Sequence, residues 1–225
     1  MNVLVFAARK GGSGKSTLTA HLAASRPAKS CLLIDCDPQG SLTLWHKLRN
    51  NEELTIRSGL RGVGEIIKSA KKEGFEWVMI DTPPNMSSIV TEAIRAATMV
   101  VIPARPTVFD LTSVAETIAL CRDVRKPYAV VINGAPAKRE GVESPIVSQA
   151  RAGLSSLNVP LWHGQITNRT NFALSLADGE GVREYDASSF AAAEIAGLWT
   201  AIEKSVKVIN GASGGSTGVM HKVAA

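Results

Sequence analysis

The sequence predicts an α/β fold, in which a single domain holds a mostly parallel, twisted sheet flanked by helices on both faces. Two observations lead to this prediction. Short runs rich in Val, Ile and Leu are apolar at almost every position, which is typical of strands buried on both faces. Segments in which apolar side chains recur every three to four residues, as in helices, separate these runs. Such an alternation of strands and helices is characteristic of a parallel sheet.

The strands are predicted at six apolar runs. They lie at residues 2–8, 30–35, 76–81, 98–104, 128–133 and 159–166. None of them approaches the roughly 18 apolar residues that a membrane-spanning helix requires, and the sequence has no secretory signal pattern. We therefore expect a protein that neither enters nor crosses a membrane.

The helices are predicted in the segments between and after these runs. They lie at residues 15–25, 64–73, 87–97, 111–122, 144–154 and 188–207. In the last of them, Ile195, Leu198, Trp199 and Ile202 form one apolar stripe, which we assign to the core. Beyond Asn210 the chain is rich in Gly and Ser, so we expect a domain at 1–209 and a flexible tail at 210–225.

An excess of positive charge is concentrated in one part of the chain. Lys and Arg number 25 against 20 Asp and Glu, and much of the resulting net charge of +5 lies between Arg122 and Arg169. Such a cluster is either a solvated basic face or a surface that contacts nucleic-acid phosphates. Composition leaves both interpretations open.

The three cysteines are interpreted as packing residues. Cys31, Cys36 and Cys121 lie in or beside apolar segments, and their odd number does not suggest a disulfide framework. Reduced cysteines are usual in the cytoplasm, where we expect the protein to reside.

The segment KGGSGKST, residues 10–17, has the features of a phosphate-binding loop, because it follows the first predicted strand and precedes the first predicted helix. Its glycines allow backbone amides to close around phosphate oxygens, and the helix N-terminus adds a partial positive charge. Lys15 is expected to neutralise the β and γ phosphates of ATP, and the Ser16 hydroxyl to ligate Mg²⁺. The predicted nucleotide-binding residues of the loop are Gly11, Gly12, Ser13, Gly14, Lys15, Ser16 and Thr17.

Acidic residues close two other predicted strands. Asp35 ends the second strand, with Asp37 two residues later, and Asp81 ends the third. The carboxyl ends of parallel strands lie at one edge of a sheet, where ligands bind. A carboxylate beside a phosphate loop usually holds Mg²⁺, directly or through water, and we assign Asp81 this role. Asp35 and Asp37 have an alternative interpretation as turn residues, since a proline and a glycine follow them.

Five segments, taken together, identify a family. They are KGGSGKST (10–17), LLIDCDPQGS (32–41), VMIDTPP (78–84), VIPARPTVFDL (101–111) and VVIN (130–133). In this order and spacing they resemble the ParA/MinD family of deviant-Walker ATPases, and within it the short ParA-type proteins that partition DNA or position other cargo. The resemblance covers residues 1 to about 205. It implies a P-loop NTPase fold of the deviant Walker A type and ATPase activity.

The resemblance also implies roles for single residues. Lys10 would reach across a nucleotide-sandwich dimer to the partner's phosphates, so that this homodimer forms only with ATP. Asp37 would orient the attacking water and ligate Mg²⁺, and Asp35 would support the shell around the metal. Two ATP molecules buried face to face bring many negative charges together, and a cation from each subunit would hold them.

Two further positions are interpreted through the same resemblance. The segment 83–86 would sense the γ phosphate as a switch. Asn133 resembles the family's adenine-reading asparagine, although an Asx turn before Gly134 is an equally good interpretation. Intrinsic turnover is expected to be slow, since no arginine within the loop is clearly poised over the γ phosphate, and Arg9 is only a candidate.

The resemblance further implies that the ATP-bound dimer binds nonspecific DNA of the nucleoid and that a ParB-like or other cargo adaptor protein stimulates hydrolysis. Contacts to DNA phosphates need only clustered cations. Arg169 matches a position at which relatives carry a DNA-contacting arginine, but the last helix lacks a basic residue that several relatives have. The candidate DNA-binding residues are Lys138, Arg139, Arg151 and Arg169.

Three other classes of protein are less compatible with the sequence. A MinD-like ATPase that cycles on a membrane would end in a basic amphipathic helix, which the last predicted helix is not. An iron–sulfur carrier would need cysteines suited to bridging a cluster, and no CxxC pair is present. A fold-related ligase such as dethiobiotin synthetase would use a similar loop, but Lys10 and the two aspartates at 35 and 37 favour the partition ATPase.

Overall fold

The computed structural model describes residues 1–49 and 53–214. Its strands are β1 (Asn2–Phe6), β2 (Cys31–Asp35), β3 (Thr55–Ser58), β4 (Trp77–Asp81), β5 (Met99–Ala104) and β6 (Tyr128–Ile132). All neighbouring strands pair in parallel, in the order β3-β2-β4-β1-β5-β6. The predicted parallel α/β sheet is therefore confirmed.

Helices connect the strands and cover both faces of the sheet. They are α1 (Lys15–Ala24), α2 (Ser41–Arg49), α3 (Gly64–Lys72), α4 (Ser88–Ala96), α5 (Val108–Asp123), α6 (Pro145–Ser156), α7 (Thr170–Ala177), α8 (Val182–Tyr185) and α9 (Phe190–Gly214). Within the described part of the chain, none of them is long and apolar enough to span a bilayer.

Two apolar layers, one on each face of the sheet, form the core. In β1, Val3 and Val5 belong to the layer that contains α3, α4, α5 and α6. Leu4 and Phe6 belong to the opposite layer, with α1, α2, α7, α8 and α9. Because alternate side chains of the strand enter different layers, every position of the strand must be apolar. This requirement explains the continuous apolar runs in the sequence.

Strand register brings the predicted acidic residues to one edge of the sheet. Asp35 at the end of β2 pairs in register with Asp81 at the end of β4, and Asp81 pairs in register with Phe6 at the end of β1. The loop that follows Phe6 leads into α1. The carboxyl edge of the three central strands therefore carries both aspartates and the glycine-rich loop.

Two strand predictions were wrong. The segment 159–166 forms only an isolated bridge, between Leu161 and Val130 of β6. It does not continue as a strand because Pro160 lacks an amide N–H and the backbone bends at Gly164. Conversely, β3 was not predicted. This edge strand has the sequence TIRS and is only partly buried, so it lacks the apolar character of the other strands.

Helix α9 extends beyond its predicted end. It runs from Phe190 through Gly214, and the Asn210 side-chain amide donates to Asn2 Oδ1 at 3.0 Å. Residues 210–214, which were expected in a flexible tail, are therefore helical, while the rest of the predicted tail lies outside the described residues. Three further helices, α2, α7 and α8, were not predicted, because the apolar side chains of α2 and α7 do not separate clearly onto one face and α8 is about a single turn.

Candidate functional site

The glycine-rich loop bends sharply before α1. Gly12 and Gly14 have φ angles of 71° and 97°, a conformation that side chains with a Cβ rarely adopt. A Cβ built on Gly14 would lie only 2.0 Å from Asn133 Nδ2, so this position cannot hold a larger residue without movement. Gly14 is also the N-cap of α1, and no side chain caps the helix there. The first amides of α1 are therefore left for an anion.

Lys15 is the first residue of α1 and is only 6% exposed. Its ammonium group donates to the Ala8 carbonyl at 3.2 Å and to the Lys10 carbonyl at 3.4 Å. Burial lowers the pKa of Lys15, and the negative charges of Asp81 and Asp37 oppose this shift. A buried ammonium that is bonded to neutral carbonyls strongly favours a nearby anion, as expected for a phosphate-binding lysine.

Asp81 is fully buried at the end of β4, and neither of its carboxylate oxygens accepts a hydrogen bond of ordinary geometry. Its pKa is raised to about 7, mainly by burial and further by Asp35 and Asp37, while the Ser16 hydroxyl and Lys15 oppose the shift. A buried carboxylate without a partner is costly unless a cation binds to it. Oxygen ligands are those that Mg²⁺ prefers, so Asp81 and Ser16 fit a magnesium ion.

Asp35 is used within the protein. It is 2% exposed, and its carboxylate accepts hydrogen bonds from Asp37 N at 3.0 Å, Thr43 N at 2.9 Å and Thr43 Oγ1 at 2.7 Å. These bonds fix the connection between β2 and α2. Asp35 thus has a structural role in this connection, and its support of the shell around a bound metal stays a prediction. The sequence analysis did not single out Thr43, because its partnership depends on where α2 begins.

Asp37 combines a turn role with an exposed position. Its Oδ1 accepts from Gln39 N at 3.0 Å, and its carbonyl accepts from Gly40 N at 2.9 Å. The residue is only partly buried and lies close enough to Lys15 to influence its pKa. The charge of Asp37 therefore acts on the loop lysine while its backbone is held in a turn.

Lys10 is part of an ion pair with α5. Its ammonium lies 2.7 Å from Asp110 Oδ2, and Asp110 is buried in the first turn of that helix. The Thr107 hydroxyl contacts the same carboxylate oxygen. The neighbouring Arg9 is paired with Glu116, also on α5. Neither carboxylate was predicted from the sequence, although Asp110 falls inside the segment 101–111 that resembles the family.

Asn133 supports the loop. It follows β6, its amide N–H donates to the Ala104 carbonyl at 2.8 Å, and its side-chain Nδ2 donates to the Ser13 carbonyl at 2.6 Å. The structure thus gives this residue a contact that neither sequence interpretation included. Its role in recognising adenine stays a prediction.

The segment 83–86 lies beside the loop. A Cβ built on Gly11 would be 4.0 Å from Pro84 Cβ, and the preceding Thr82 hydroxyl donates to the Phe6 carbonyl at 2.8 Å. The backbone before the segment is therefore fixed to β1, while Met86 within it is 37% exposed. This arrangement suits a segment that senses the loop's ligand.

The four candidate DNA-binding cations differ in how they are held. Arg151 bonds to Glu143 at 3.0 Å and to the carbonyls of Trp162 and Gly164 at 3.0 and 2.8 Å, so its guanidinium joins α6 to the following segment. Arg169 pairs with Glu194 at 3.0 Å. These two arginines therefore have internal structural roles, which weakens their assignment as DNA contacts.

Lys138 and Arg139 differ from these arginines, because both are exposed. Lys138 lies 3.9 Å from Glu143, a loose contact for an ion pair. The backbone of Arg139 forms a small turn with Val142. Of the four candidates, these two are the better placed to contact an external polyanion.

The three cysteine thiols are buried and unpaired, and burial raises the pKa of Cys31, Cys36 and Cys121 to about 12. They are protonated packing groups, as the sequence analysis expected.

Comparison with known proteins agrees with this geometry. Residues 4–182 match the family model described as the CobQ/CobB/MinD/ParA nucleotide binding domain. Two curated relatives illustrate the similarity. The maintenance of carboxysome distribution protein A of Gloeobacter kilaueensis is 36% identical over 112 residues, which is 48% of this chain and 51% of the relative. The chromosome-partitioning ATPase Soj of Thermus thermophilus is 29% identical over 154 residues, 54% of this chain and 62% of the relative.

The matched region thus spans between about half and three fifths of these relatives' lengths. Among solved structures, the septum site-determining protein MinD of Pyrococcus horikoshii, complexed with Mg-ADP, aligns with a TM-score of 0.71 at 17% identity. The alignment covers 92% of this chain and 98% of that protein. At this identity the structural similarity establishes the shared fold.

Proposed function

Because the chain belongs to the CobQ/CobB/MinD/ParA nucleotide-binding family, we propose that it is a ParA-type ATPase that uses ATP and Mg²⁺ to partition DNA or to position another cargo. The observation that carries this proposal is the buried carboxylate of Asp81, which accepts no hydrogen bond of ordinary geometry and lies near Lys15 and Ser16. The negative charge of Asp81 suits a metal ion, and the positive charge of Lys15 suits the phosphates that the metal accompanies.

The residues of the site divide the work between binding and hydrolysis. The ammonium of Lys15 and the amides at the start of α1 would hold the phosphates, and Asp81 with Ser16 would hold Mg²⁺. When bound, the metal neutralises charge that develops on the phosphates. Asp37, partly exposed beside the loop, would orient the attacking water. Asp35 would fix the position of Asp37, because it accepts a hydrogen bond from its amide.

We propose that ATP drives formation of a homodimer and that Lys10 is the residue that changes partners. In the single chain its ammonium pairs with Asp110. In the dimer it would contact the phosphates bound by the other subunit, whose greater negative charge offsets the loss of the Asp110 pair. The contact with Asp110 would keep Lys10 ordered near the loop until a second subunit arrives.

The ATP-bound dimer would bind nonspecific DNA through exposed cations, of which Lys138 and Arg139 are supported by their geometry. A cargo adaptor protein would stimulate hydrolysis and release the dimer. The carboxysome and chromosome proteins named above support cargo transport as the class of function. We therefore also propose that the protein works in the cytoplasm, associated with the nucleoid whose DNA it would bind.

The experiment that tests the proposed function measures MgATP binding by calorimetry and phosphate release by a coupled assay. The wild-type chain should bind MgATP and hydrolyse it slowly. Lys15→Ala should lose at least about tenfold in affinity, because it removes a charged partner of the phosphates. Lys68→Ala provides the control, since its exposed side chain pairs with Glu65 on the surface of α3. Equal MgATP affinity of the wild type and Lys15→Ala would refute the assignment of the loop.

A further inference from the structure

Arg105 lies at the carboxyl edge of the sheet, immediately after β5. Its backbone is held on both sides, because the preceding Ala104 carbonyl accepts from Asn133 N and the Arg105 carbonyl accepts from Thr107 N, both at 2.8 Å. Pro106 follows and further restricts the chain. The side chain is exposed. A hydrogen-bonded backbone thus presents an exposed cation at the edge where the loop lies.

The side chain of Arg105 extends over the glycine-rich loop. A Cβ built on Gly12 would lie 3.7 Å from Arg105 Nη2, and one built on Gly134 would lie 3.8 Å from its Cγ and 3.9 Å from its Nε. Gly134 follows Asn133, which itself bonds to the loop at Ser13. The guanidinium of Arg105 therefore lies between the loop and the end of β6.

The other cations around the loop are already engaged. Arg9 pairs with Glu116, Lys10 pairs with Asp110, and Lys15 bonds to two carbonyls. By contrast, the guanidinium of Arg105 has neither a hydrogen bond nor an ion pair with any of the described residues. A guanidinium carries five donors in a plane and binds phosphate oxygens in pairs. Arg105 is therefore the arginine whose position and lack of an internal partner suit an anion in the loop.

We propose that Arg105 contacts the phosphates of the nucleotide that its own loop binds, as a second cation beside Lys15. This inference rests on the proposed function, because it needs a nucleotide in the loop. It assigns the phosphate-contacting arginine to the end of β5 and leaves Arg9 as part of the ion pair with Glu116 on α5. Gly12 and Gly134, which lie on either side of the Arg105 side chain, both have positive φ angles. This conformation lets the backbone at each glycine lie close to the side chain of Arg105.

The test compares MgATP binding by the wild type, Arg105→Ala, Arg105→Lys and Arg95→Ala. Arg95 is an exposed arginine at the end of α4, at the opposite edge of the sheet, and provides the matched control. Calorimetry is done at protein concentrations at which light scattering finds the chain monomeric. Circular dichroism melts show whether each variant is folded.

Arg105→Ala should bind MgATP about tenfold more weakly than the wild type, which is the effect of one charged hydrogen-bonding contact. Arg105→Lys should lose less, and Arg95→Ala should match the wild type. The deficit of Arg105→Ala should shrink as salt rises from about 50 mM to about 300 mM, because screening weakens the contact in the wild type.

Wild-type affinity in a folded Arg105→Ala would overturn the inference while leaving the proposed function intact. A deficit of the same size at all salt concentrations, or one that appears only where dimers form, would also overturn it, since neither fits a direct ionic contact within one chain. Failure of the wild type itself to bind MgATP would overturn both proposals.

Discussion

Asp81 and Lys15 are the residues in which the chemistry of the site is concentrated. Asp81 is fully buried and its oxygens accept no hydrogen bond of ordinary geometry, and Lys15 is nearly buried with carbonyls as its hydrogen-bond partners. Each group is expensive to bury in the absence of a ligand. The buried charges therefore lower the stability of the site without a ligand and favour the binding of a metal ion and phosphates.

Replacing Asp37 by alanine tests its proposed role in hydrolysis. Asp37→Ala should bind MgATP with near wild-type affinity, because Lys15 and Asp81 remain. Its hydrolysis should fall by at least about tenfold, since the variant lacks the group that orients the attacking water. Phosphate release per bound ATP measures the effect. Gln39→Ala is the control, because it leaves intact the backbone amide that bonds to Asp37 Oδ1. Normal turnover by Asp37→Ala would show that this carboxylate has no catalytic role.

At the scale of elements, side chains from one segment hold the ends of another. His21 on α1 is one such link: its Nδ1 accepts a hydrogen bond at 3.0 Å from the amide of Val182, the first residue of α8, and its ring lies 5.0 Å from that of Phe172. Only a neutral ring can accept this bond, and burial lowers the pKa of His21 to about 4.

This link predicts a dependence of stability on pH. The folded pKa of about 4 is below the ordinary value of 6.5, so the unfolded chain binds the proton more readily. The stabilisation is therefore complete above about pH 6.5 and is lost as pH falls toward the folded pKa, by up to about 3 kcal/mol in the free energy of unfolding. Urea unfolding between about pH 7 and pH 4.5 measures it.

A pair of variants isolates the contribution of His21. His21→Gln should be less sensitive to acid than the wild type over this range, because it removes the buried titrating group. His163→Gln should behave as the wild type does, since that histidine is exposed. Identical acid sensitivity in the wild type and His21→Gln would contradict the assignment.

Arg151 gives a second prediction at this scale. Arg151→Ala leaves Glu143 and the carbonyls of Trp162 and Gly164 without their shared donor, so the free energy of unfolding should fall by about 2 kcal/mol. Arg139→Ala, at an exposed position, should change it by less than about 0.5 kcal/mol. Thermal melts compare the two variants. If Arg139→Ala lost as much stability as Arg151→Ala, or if Arg151→Ala lost none, the structural role assigned to Arg151 would be wrong.

The elements also show how far sequence could predict the structure. Strands buried on both faces were predicted from their continuous apolar character, whereas β3 has a partly exposed edge position that allows polar residues. The loop was recognised because strand, glycines and lysine are contiguous. The partners of Lys10 and Asn133, by contrast, lie about 100 and 120 residues away in the chain, and only the fold brings Asp110 and Ser13 to them. Local patterns carry no information on such contacts.

At the scale of the whole molecule, the sheet gathers these residues at a single edge. The loop after β1, Asp35 at the end of β2, Asp81 at the end of β4 and Arg105 after β5 all lie at the carboxyl ends of parallel strands. Lys10 lies at the same edge, 43% exposed and paired with α5. A second subunit that met this edge would therefore meet Lys10, which is the basis for proposing dimerisation through the nucleotide.

Dimerisation through the bound nucleotide is tested by measuring the molar mass in solution by light scattering, with MgATP, with MgADP and without nucleotide. Asp37→Ala serves as the background, so that ATP persists during the measurement. We expect a doubled mass only with MgATP. When Lys10→Ala is added to this background, we expect a monomer in all three conditions, although the variant still binds ATP. A monomer with ATP bound, or an unchanged dimer in Lys10→Ala, would contradict the account.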